Sequence, residues 1–515
     1  MCGIGAKRGV LGALCGMKTL DLTTESMKIL GLHFSYNESV MIEKNFIETI
    51  VKIENVLRVW RQRSLTLEGK IVIFKTLAIS KLVHTAYLIH MPQHVIEMLE
   101  KIKNDFLWNN KRTKIKHNTL CNKFEKGGLQ KVDIRLKIDA LQLSWVRRLY
   151  DENDHQWKKI PKILLTQRFG DYNIFYPHFK THLNLSLIPK FYKNIMEKWS
   201  TCSSIPIDNR NILEQNLWHN QLIIISNKTI FHKEFHSKGI MSVHQLFSNG
   251  IMKKWHDFKT EFRLDDGLHF KYIQLIDAIP REWKIKLRNG EIYEDLQPAQ
   301  GVLSCTRLIP LEKLISKEIY SILLRIRDHV PTAKQSYNEK FSNLSYHDWA
   351  NVYTLPRKVT KDAYLRYFQY KILNNILYLN KKLFTFGKSS TQNCSFCENH
   401  EESIYHIFND CLHTIKLWDD LVQFFISVLN IPRLSTQSAL LGFLGEIDTH
   451  NLLINHLLLL FKLYVYQSRE KKRLHFPALL VNIKNIYNLE LKTESTLLIT
   501  KSYSEKWSCI RHLLN

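Results

Sequence analysis

The stretch "CSFCENHEESIYHIFNDC" (Cys394–Cys411) holds three of the nine cysteines of the chain. Cys394 and Cys397 have the C-x-x-C spacing, in which a tight turn can direct both sulfurs toward one ion. Together with His406 and Cys411 they form the pattern C-x2-C-x8-H-x4-C, a Cys3His set of metal ligands. Four protein ligands complete a tetrahedral zinc shell, so the sequence predicts a structural zinc site with no open position for catalysis.

Two nearby histidines and three carboxylates leave details of this site open. His400 and His413 are alternative ligands. Acidic side chains that could orient a ligand imidazole are Glu401, Glu402 and Asp410. Because His406 and Cys411 are five residues apart, they do not share a face of an α-helix, and we expect one of them at a helix end. The competing interpretation is three free thiols that cluster without a metal.

The composition of the whole chain points to a multi-domain protein with a polyanionic partner. At 515 residues it is long enough for two to four domains. The net charge of +25 favours RNA or DNA over a basic surface without a partner. An odd number of mostly scattered cysteines fits a reducing compartment, so we expect an intracellular protein of the cytoplasm or nucleus. The apolar stretch Asn451–Tyr466 contains polar interruptions, which predicts a buried helix and no membrane partner.

Hydrophobic periodicity predicts a mainly α fold. The apolar residues of 42–60 recur at steps of three and four, which is typical of one helical stripe. A second helix is predicted from a Thr66 cap to about His90, and a third ends at Trp108. Residues 29–36 are predicted to form a strand, preceded by a hairpin arm over 20–29. Residues 361–387 form an amphipathic segment that Gly387 ends.

Several stretches of the chain, in this order, resemble the C-terminal half of the reverse transcriptase of non-LTR (LINE-type) retrotransposons. "KILGLHFS" (Lys28–Ser35) resembles the strand pair that comes after the polymerase active site. Residues 60–92, 106–116 and 126–134 resemble the thumb and the segment next to it, and "AIPREWK" (Ala278–Lys284) resembles the linker. "FQYKILNNILYLNKKL" (Phe368–Leu383), together with the cysteine stretch, is similar to the zinc-binding C-terminal domain of these enzymes.

The resemblance implies a helical thumb, a mixed linker and a helical zinc-binding domain, with structural Zn²⁺ as the cofactor. The implied domains are a palm and primer-grip remnant at 1–40, a thumb at 41–117, a linker at 118–340, a zinc-binding domain at 341–450, and C-terminal helices with a basic turn at 451–515.

Catalysis by this family needs two metal ions on palm carboxylates, including an aromatic-x-Asp-Asp hairpin. Asp265–Asp266 lies on the wrong side of the thumb, and Asp419–Asp420 lies in a helical stretch, so we expect solvated acids at both places and no Mg²⁺ site in this chain. The resemblance thus implies a non-catalytic fragment that binds nucleic acid. The alternatives are a fragment of an RNA-directed DNA polymerase that is active only with its palm, and an inert or repurposed zinc-binding structural protein.

Basic side chains in the thumb-like and zinc-binding regions are the predicted contacts to a phosphate backbone. The competing interpretation is a solvated, solubilising face. The predicted nucleic-acid-binding residues are Arg58, Arg61, Arg63, Lys70, Lys111, Arg112, Lys114, Lys116, Lys381 and Lys382, with a further basic run of Arg469, Lys471, Lys472 and Arg473.

Overall fold

The computed structural model describes residues 26–150, 155–159, 161, 163, 189–202, 212–290 without 214, 216, 219 and 221, 301–304, 307–310, 314–497 without 328, 342, 343 and 447, and 502–514. Helices dominate these residues, and their strands pair only as two-stranded antiparallel hairpins. The predicted mainly α class with a small hairpin near the N-terminus is therefore confirmed. Of the predicted N-terminal region, residues 1–25 lie outside the described part.

The strands are Met27–Ile29 with Leu32–Phe34, Ile224–Ile225 with Lys228–Thr229, Phe247–Ser248 with Ile251–Met252, and Gly301–Ser304 with Arg307–Pro310. Helices up to residue 202 are Glu38–Ile42, Glu43–Ile47, Glu48–Arg61, Leu67–Ile73, Phe74–Ile79, Ser80–Leu88, Gln93–Trp108, His117–Cys121, Ile134–Leu143, Trp145–Tyr150 and Lys190–Cys202. Helices after residue 202 are Lys233–Ser237, Trp255–Phe262, His269–Ala278, Arg281–Arg288, Ser316–Ile326, Thr332–Lys340, Tyr346–Val359, Ala363–Leu373, Asn380–Thr385, His406–Asp410, Leu412–Phe425, Thr436–Leu441, Thr449–Ser468, Phe476–Leu497, Ser502–Trp507 and Arg511–Leu514. Glu43–Ile47, Phe74–Ile79 and His406–Asp410 have the wider π-helical turn.

The N-terminal hairpin differs from the single strand predicted at 29–36. Leu30 and Gly31 have φ values of 48° and 84°, so both occupy the left-handed region and reverse the chain in the middle of that stretch. This backbone suits a two-residue hairpin turn, in which positive φ at both central positions matches the strand twist. The side chain of Asn45 fixes the hairpin by accepting from the His33 amide at 2.9 Å and donating to its carbonyl at 2.6 Å.

The predicted helical stripes are confirmed in the core. Phe46, Ile50, Ile53 and Leu57 are all buried on one side of the helical run 38–61. Thr66 caps the next helix, since its hydroxyl accepts from the Gly69 amide at 3.2 Å. The amphipathic segment 361–387 forms two helices, because the chain turns at 374–379, where Asn375 has a φ of 50°. Gly387, with a φ of 65°, comes after the second helix as predicted.

The chain divides into two compact units. Unit 1 consists of residues 1–54, 79–100 and 133–327, and unit 2 consists of 55–78, 101–132 and 328–515. Unit 1 contains one core around the helices Ile134–Leu143, Lys190–Cys202 and Ser316–Ile326, and a second core within residues 212–287. The domain borders expected from the sequence stay predictions.

A large hydrophobic core lies in the C-terminal part of unit 2. It draws its buried side chains from most helices between Thr332 and Leu514, on both sides of residue 450. Thr449–Ser468 is the central helix of this core, because it buries thirteen of its side chains, including Leu457, Leu458 and Phe461. The predicted buried helix at 451–466 is thus confirmed.

Among the described residues, the helical run Leu67–Leu88 is long and apolar enough to cross a membrane by length and composition, with a mean hydropathy of 1.4. A buried core helix of a protein that does not cross a membrane meets the same criterion, so this finding alone is weak evidence for a membrane-spanning helix.

Candidate metal centre and nucleic-acid interface

The cysteine cluster, defined as Cys394, Cys397, His406 and Cys411, is brought together in unit 2. One ligand atom from each residue lies within 4.8 Å of the other three. The sulfurs of Cys394 and Cys411 are 3.9 Å apart, and Nε2 of His406 is 3.2 Å from the sulfur of Cys397. Around a zinc ion with ordinary Zn–S and Zn–N bonds, ligand atoms are separated by about 3.5–3.8 Å. The cluster therefore has close to the size and the donor set that tetrahedral zinc requires.

Backbone hydrogen bonds shape the turn that carries Cys394 and Cys397. The amide of Cys394 donates to the His400 carbonyl at 2.7 Å, and the Glu398 amide donates to the Cys394 carbonyl at 3.0 Å. Glu398 has a φ of 58°, which closes the turn in the left-handed region. The Phe396 amide also points at the sulfur of Cys394, at 3.5 Å. An amide directed at sulfur favours the thiolate that binds metal.

A π-helical turn directs His406 and Cys411 toward the same candidate metal centre. The Cys411 amide donates to the His406 carbonyl at 2.9 Å, which is an i to i+5 bond, and this wider turn brings residues five apart closer to one face. Cys411 is then the N-terminal cap of the helix Leu412–Phe425. The expectation that one of the two ligands sits at a helix end is confirmed.

The position of Cys411 favours its thiolate. A hydrogen bond from the Cys394 thiol, together with the backbone amides of His413 and Thr414, lowers the pKa of Cys411 to about 5. Amides at a helix N-terminus carry partial positive charge, which favours an anion there. Since zinc binds thiolates, this environment suits a metal ligand.

The alternative ligands and two of the predicted orienting carboxylates have other positions. His400 is exposed, with Nδ1 at 4.0 Å from the Cys397 sulfur, and its ring stacks on His406 at 5.3 Å. His413 is exposed on the next helix. Of the carboxylates that could orient the ligand imidazole, Glu401 pairs with Lys381 and Asp410 accepts from Asn409.

Glu402 has a different role from the one predicted, because its carboxylate holds the cysteine turn. One oxygen accepts from the Ser395 amide at 2.8 Å and from its hydroxyl at 2.6 Å. The other accepts from the Asn380 amide at 2.8 Å and pairs with Arg469 at 2.5 Å. Glu402 is fully buried, so these charge-assisted bonds are needed to offset its desolvation. The paired glutamates before His406 are the only sequence signal for this carboxylate.

Arg469 belongs to the predicted basic run and is instead a structural residue of the metal region. Its guanidinium donates to the Tyr378 carbonyl at 2.9 Å and to the Asn380 side chain at 3.1 Å, in addition to the Glu402 pair. Lys472 of the same run pairs with Glu398 at 2.9 Å on the surface, while Lys471 and Arg473 are exposed.

The thumb-like basic residues divide into one buried lysine and an exposed set. Lys70 is buried, and its ammonium donates to the Phe106 carbonyl at 3.1 Å and to Asn109 at 2.5 Å. Burial, and then the charge of Arg61, lower its pKa. Lys70 thus binds the end of the helix Gln93–Trp108, and this placement does not fit the predicted phosphate contact. The exposed residues are Arg58, Arg61, Arg63, Lys111, Arg112, Lys114 and Lys116.

The two lysines predicted on the zinc-binding side differ in exposure. Lys381 is exposed and pairs with Glu401 at 2.9 Å. Lys382 is half-buried and donates to the Asn375 carbonyl, and burial lowers its pKa. Lys382 is thereby engaged with the protein backbone, and Lys381 is the more accessible cation.

The two Asp-Asp pairs have the surroundings of surface acids. Asp266 pairs with Lys259 at 2.6 Å, and its neighbour Asp265 is exposed. Asp419 and Asp420 lie in the helix Leu412–Phe425, the first exposed and the second half-buried. Neither pair belongs to a cluster of possible metal ligands among the described residues.

Comparison with known proteins points to one functional class for the metal region. Residues 315–418 match the family described as zinc-binding in reverse transcriptase, and this range contains the whole cysteine cluster. The chain is also 25% identical over 119 residues to the Arabidopsis thaliana protein named "Putative ribonuclease H protein". That alignment covers 22% of this chain and 19% of the plant protein, so the chain spans less than two thirds of the length of this relative. Through residues 315–418 the chain is therefore similar to a zinc-binding region found in reverse transcriptases.

Proposed function

We propose that the chain is the thumb, linker and zinc-binding C-terminal half of a non-LTR (LINE-type) retrotransposon reverse transcriptase. In this proposal it binds RNA, an RNA–DNA hybrid or duplex DNA through basic surfaces, and it does not catalyse polymerisation by itself. The observation that carries the proposal is the coincidence of two findings in one segment. The segment that matches the reverse-transcriptase zinc-binding family also holds a Cys3His cluster, and the distances between its ligand atoms fit a bound zinc ion.

The role of the zinc site is structural in this proposal. Cys394, Cys397, His406 and Cys411 would hold the ion, which would join the cysteine turn to the N-terminus of the helix Leu412–Phe425. Four protein ligands leave no position for a reacting water. The metal therefore supplies rigidity to the surface around it.

The nucleic-acid contact is assigned to the basic loop, which we define as Lys111, Arg112, Lys114 and Lys116. All four side chains are exposed, and none of them forms an ion pair with a carboxylate among the described residues. Asn109 and Asn110, with φ values of 52° and 59°, end the preceding helix and begin the loop. Together with the net charge of +25, these cations favour contact with a phosphate backbone.

A salt titration tests this function. The affinity of the full chain for a fluorescein-labelled RNA–DNA hybrid should fall about 100-fold between 50 and 200 mM KCl if about four phosphates are neutralised. Replacing all four basic-loop residues by Gln should weaken binding at 50 mM KCl and lower the logarithmic salt slope by about four.

The matched control replaces Lys228, Lys233, Lys238 and Lys254, exposed lysines of unit 1, by Gln. This control removes the same charge and should retain most of the logarithmic salt slope of the unaltered chain. No binding by the unaltered chain at 50 mM KCl would refute the proposed function and favour an inert or repurposed zinc-binding protein.

The hairpin Met27–Phe34 supports a second candidate, a polymerase fragment that acts with a separate palm. Its sequence resembles the strand pair that comes after the polymerase active site, and Asn45 fixes it to the adjoining helical run 38–61. Primer extension that requires both this chain and a palm-containing chain would favour this candidate.

A further inference from the structure

Three large aromatic side chains are exposed close together in the sequence at one edge of unit 2. Tyr378, Phe384 and Phe386 are 40%, 49% and 59% exposed. They flank or belong to the short helix Asn380–Thr385, and the rings of Tyr378 and Phe386 meet edge to face at 6.4 Å. We call Tyr378 and Phe386 the aromatic pair. Single exposed rings are common on protein surfaces, whereas a contacting exposed pair is a candidate binding surface.

One lysine contacts the aromatic pair, and a second contacts Tyr367. The Lys114 ammonium, from the basic loop, lies 4.3 Å from the centre of the Tyr378 ring. Lys371 lies 4.6 Å from the centre of the Tyr367 ring, and burial, followed by the charge of Lys114, lowers its pKa. Within the described part of the chain, no carboxylate forms an ion pair with either lysine. This surface therefore combines exposed rings with positive charge that is not neutralised.

Hydrogen bonds fix the backbone that carries the aromatic pair. The Tyr378 carbonyl accepts from Arg469 at 2.9 Å and from the Tyr466 hydroxyl at 3.4 Å. After Phe386, the Lys388 amide donates to the Leu383 carbonyl at 2.8 Å and closes the helix end at Gly387. A surface that is fixed before binding loses little conformational entropy when a ligand docks.

We propose that the aromatic pair, with Lys114, is a binding site for single-stranded nucleic acid, in which an unpaired base stacks on Phe386 and the adjacent phosphate lies at Lys114. This inference rests on the proposed function and specifies the strand that this surface takes. Inside a duplex the base faces are covered by their neighbours, so an exposed ring stacks more readily on an unpaired base. Stacking of this kind depends little on base identity and is accompanied by a basic track for the backbone. The positive charge beside the rings favours this occupant over an apolar protein segment.

The test measures binding of the full chain to a fluorescein-labelled 12-nucleotide single strand and to a hairpin duplex by anisotropy at 50 mM KCl. Phe386→Leu keeps an apolar side chain but removes the ring, and we expect about 10-fold weaker binding of the single strand with little change for the duplex. Phe386→Trp should restore or improve single-strand binding. Tyr378→Leu should weaken binding of the single strand in the same way.

Phe270→Leu is the matched control, because Phe270 is 68% exposed on a helix of unit 1. Unchanged thermal unfolding of each variant ensures that a loss reflects the missing ring. If the unaltered chain binds the duplex in a salt-dependent way while Phe386→Leu binds the single strand normally, this inference is overturned and the proposed function stands. If the unaltered chain binds neither probe, both are overturned.

Discussion

The cysteine cluster and the interior of the last helices both bury ionisable groups within unit 2, but they favour opposite charge states. In the cluster, the Cys394 thiol and the helix amides lower the pKa of Cys411 to about 5, so the site holds negative charge. In the helix interior, burial lowers the pKa of Lys462 to about 7 and that of His456 well below its usual value. The cysteine cluster therefore suits a cation, whereas burial in the second region favours the neutral forms of Lys462 and His456.

The two regions also differ in what stabilises them. The cysteine turn is stabilised by hydrogen bonds to Glu402 and by the contacts among the four residues of the cysteine cluster. The last helices bury a continuous set of leucines and aromatic rings around one ion pair, in which the Lys506 ammonium lies 2.6 Å from Glu490. Apolar burial by itself stabilises such a core, so its stability does not depend on a ligand. We therefore expect loss of the metal to leave the apolar core of the last helices folded.

The largest expected effect is that of metal removal. Structural zinc contributes on the order of 10 kcal/mol to the folding of small zinc modules, so the purified chain should carry about one zinc per chain and lose order locally when a chelator removes it. Hydrogen exchange should rise in residues 392–411 and stay slow in 453–465. Cys394→Ser should reproduce this pattern.

Cys509→Ser is the matched control for Cys394→Ser, since Cys509 is a half-buried thiol of the last helices. It should change neither zinc content nor exchange in residues 392–411. A metal-free chain with slow exchange throughout residues 392–411 would show that the cluster does not need an ion.

Next in size is the loss of the buried ion pair. Glu490→Ala removes the carboxylate that lies 2.6 Å from the Lys506 ammonium and 2.7 Å from the Trp507 indole nitrogen, so the buried ammonium loses its counter-ion. Breaking a buried pair on one side costs about 3–5 kcal/mol, so denaturant unfolding of unit 2 should shift to lower concentration while zinc stays bound. Glu505→Ala, at an exposed position of the same helix as Lys506, should shift it little. Loss of zinc in Glu490→Ala would contradict the separation of the two regions.

The smallest effect is expected at Lys462, and it has the opposite sign. Its pKa is about 7 in the folded chain and near 10.5 when unfolded, so between these values the unfolded chain binds more protons and the free energy of unfolding rises with pH. Lys462→Met should increase that free energy by about 2 kcal/mol at pH 7 and by less at pH 9. Denaturant unfolding at both pH values measures the difference.

Lys416→Met is the control for Lys462→Met, since Lys416 is exposed on the helix Leu412–Phe425. This variant should show the same pH dependence of the free energy of unfolding as the unaltered chain. An equal gain for Lys462→Met at pH 7 and pH 9 would mean that packing, and not the proton, accounts for the effect.

Local signals in the sequence predict much of this structure. The stripe through Phe46, Ile50, Ile53 and Leu57 and the cap at Thr66 depend on neighbours within a few residues, and both predictions are confirmed. The four residues of the cysteine cluster are found from their spacing, because donor type and loop length restrict a metal site strongly.

The errors arise where distant residues decide the role of a side chain. Lys70 resembles a surface cation in its own helix, and only the carbonyls at the end of another helix show why it is buried. Arg469 is part of a basic run in the sequence, and its carboxylate partner lies far away along the chain. The turn at Leu30 and Gly31 escapes prediction because the apolar residues around it are typical of a strand, although its glycine is a local signal.

The ion pair between Glu402 and Arg469 has a practical consequence for dissecting this protein. A shortened chain that ends near residue 450 would retain all four thiol and imidazole ligands. It would lack the guanidinium that closes the buried Glu402 carboxylate and supports the Tyr378 and Asn380 loop. Any excised version of the zinc module should therefore extend beyond the helix Thr449–Ser468, or replace Glu402 by a neutral side chain.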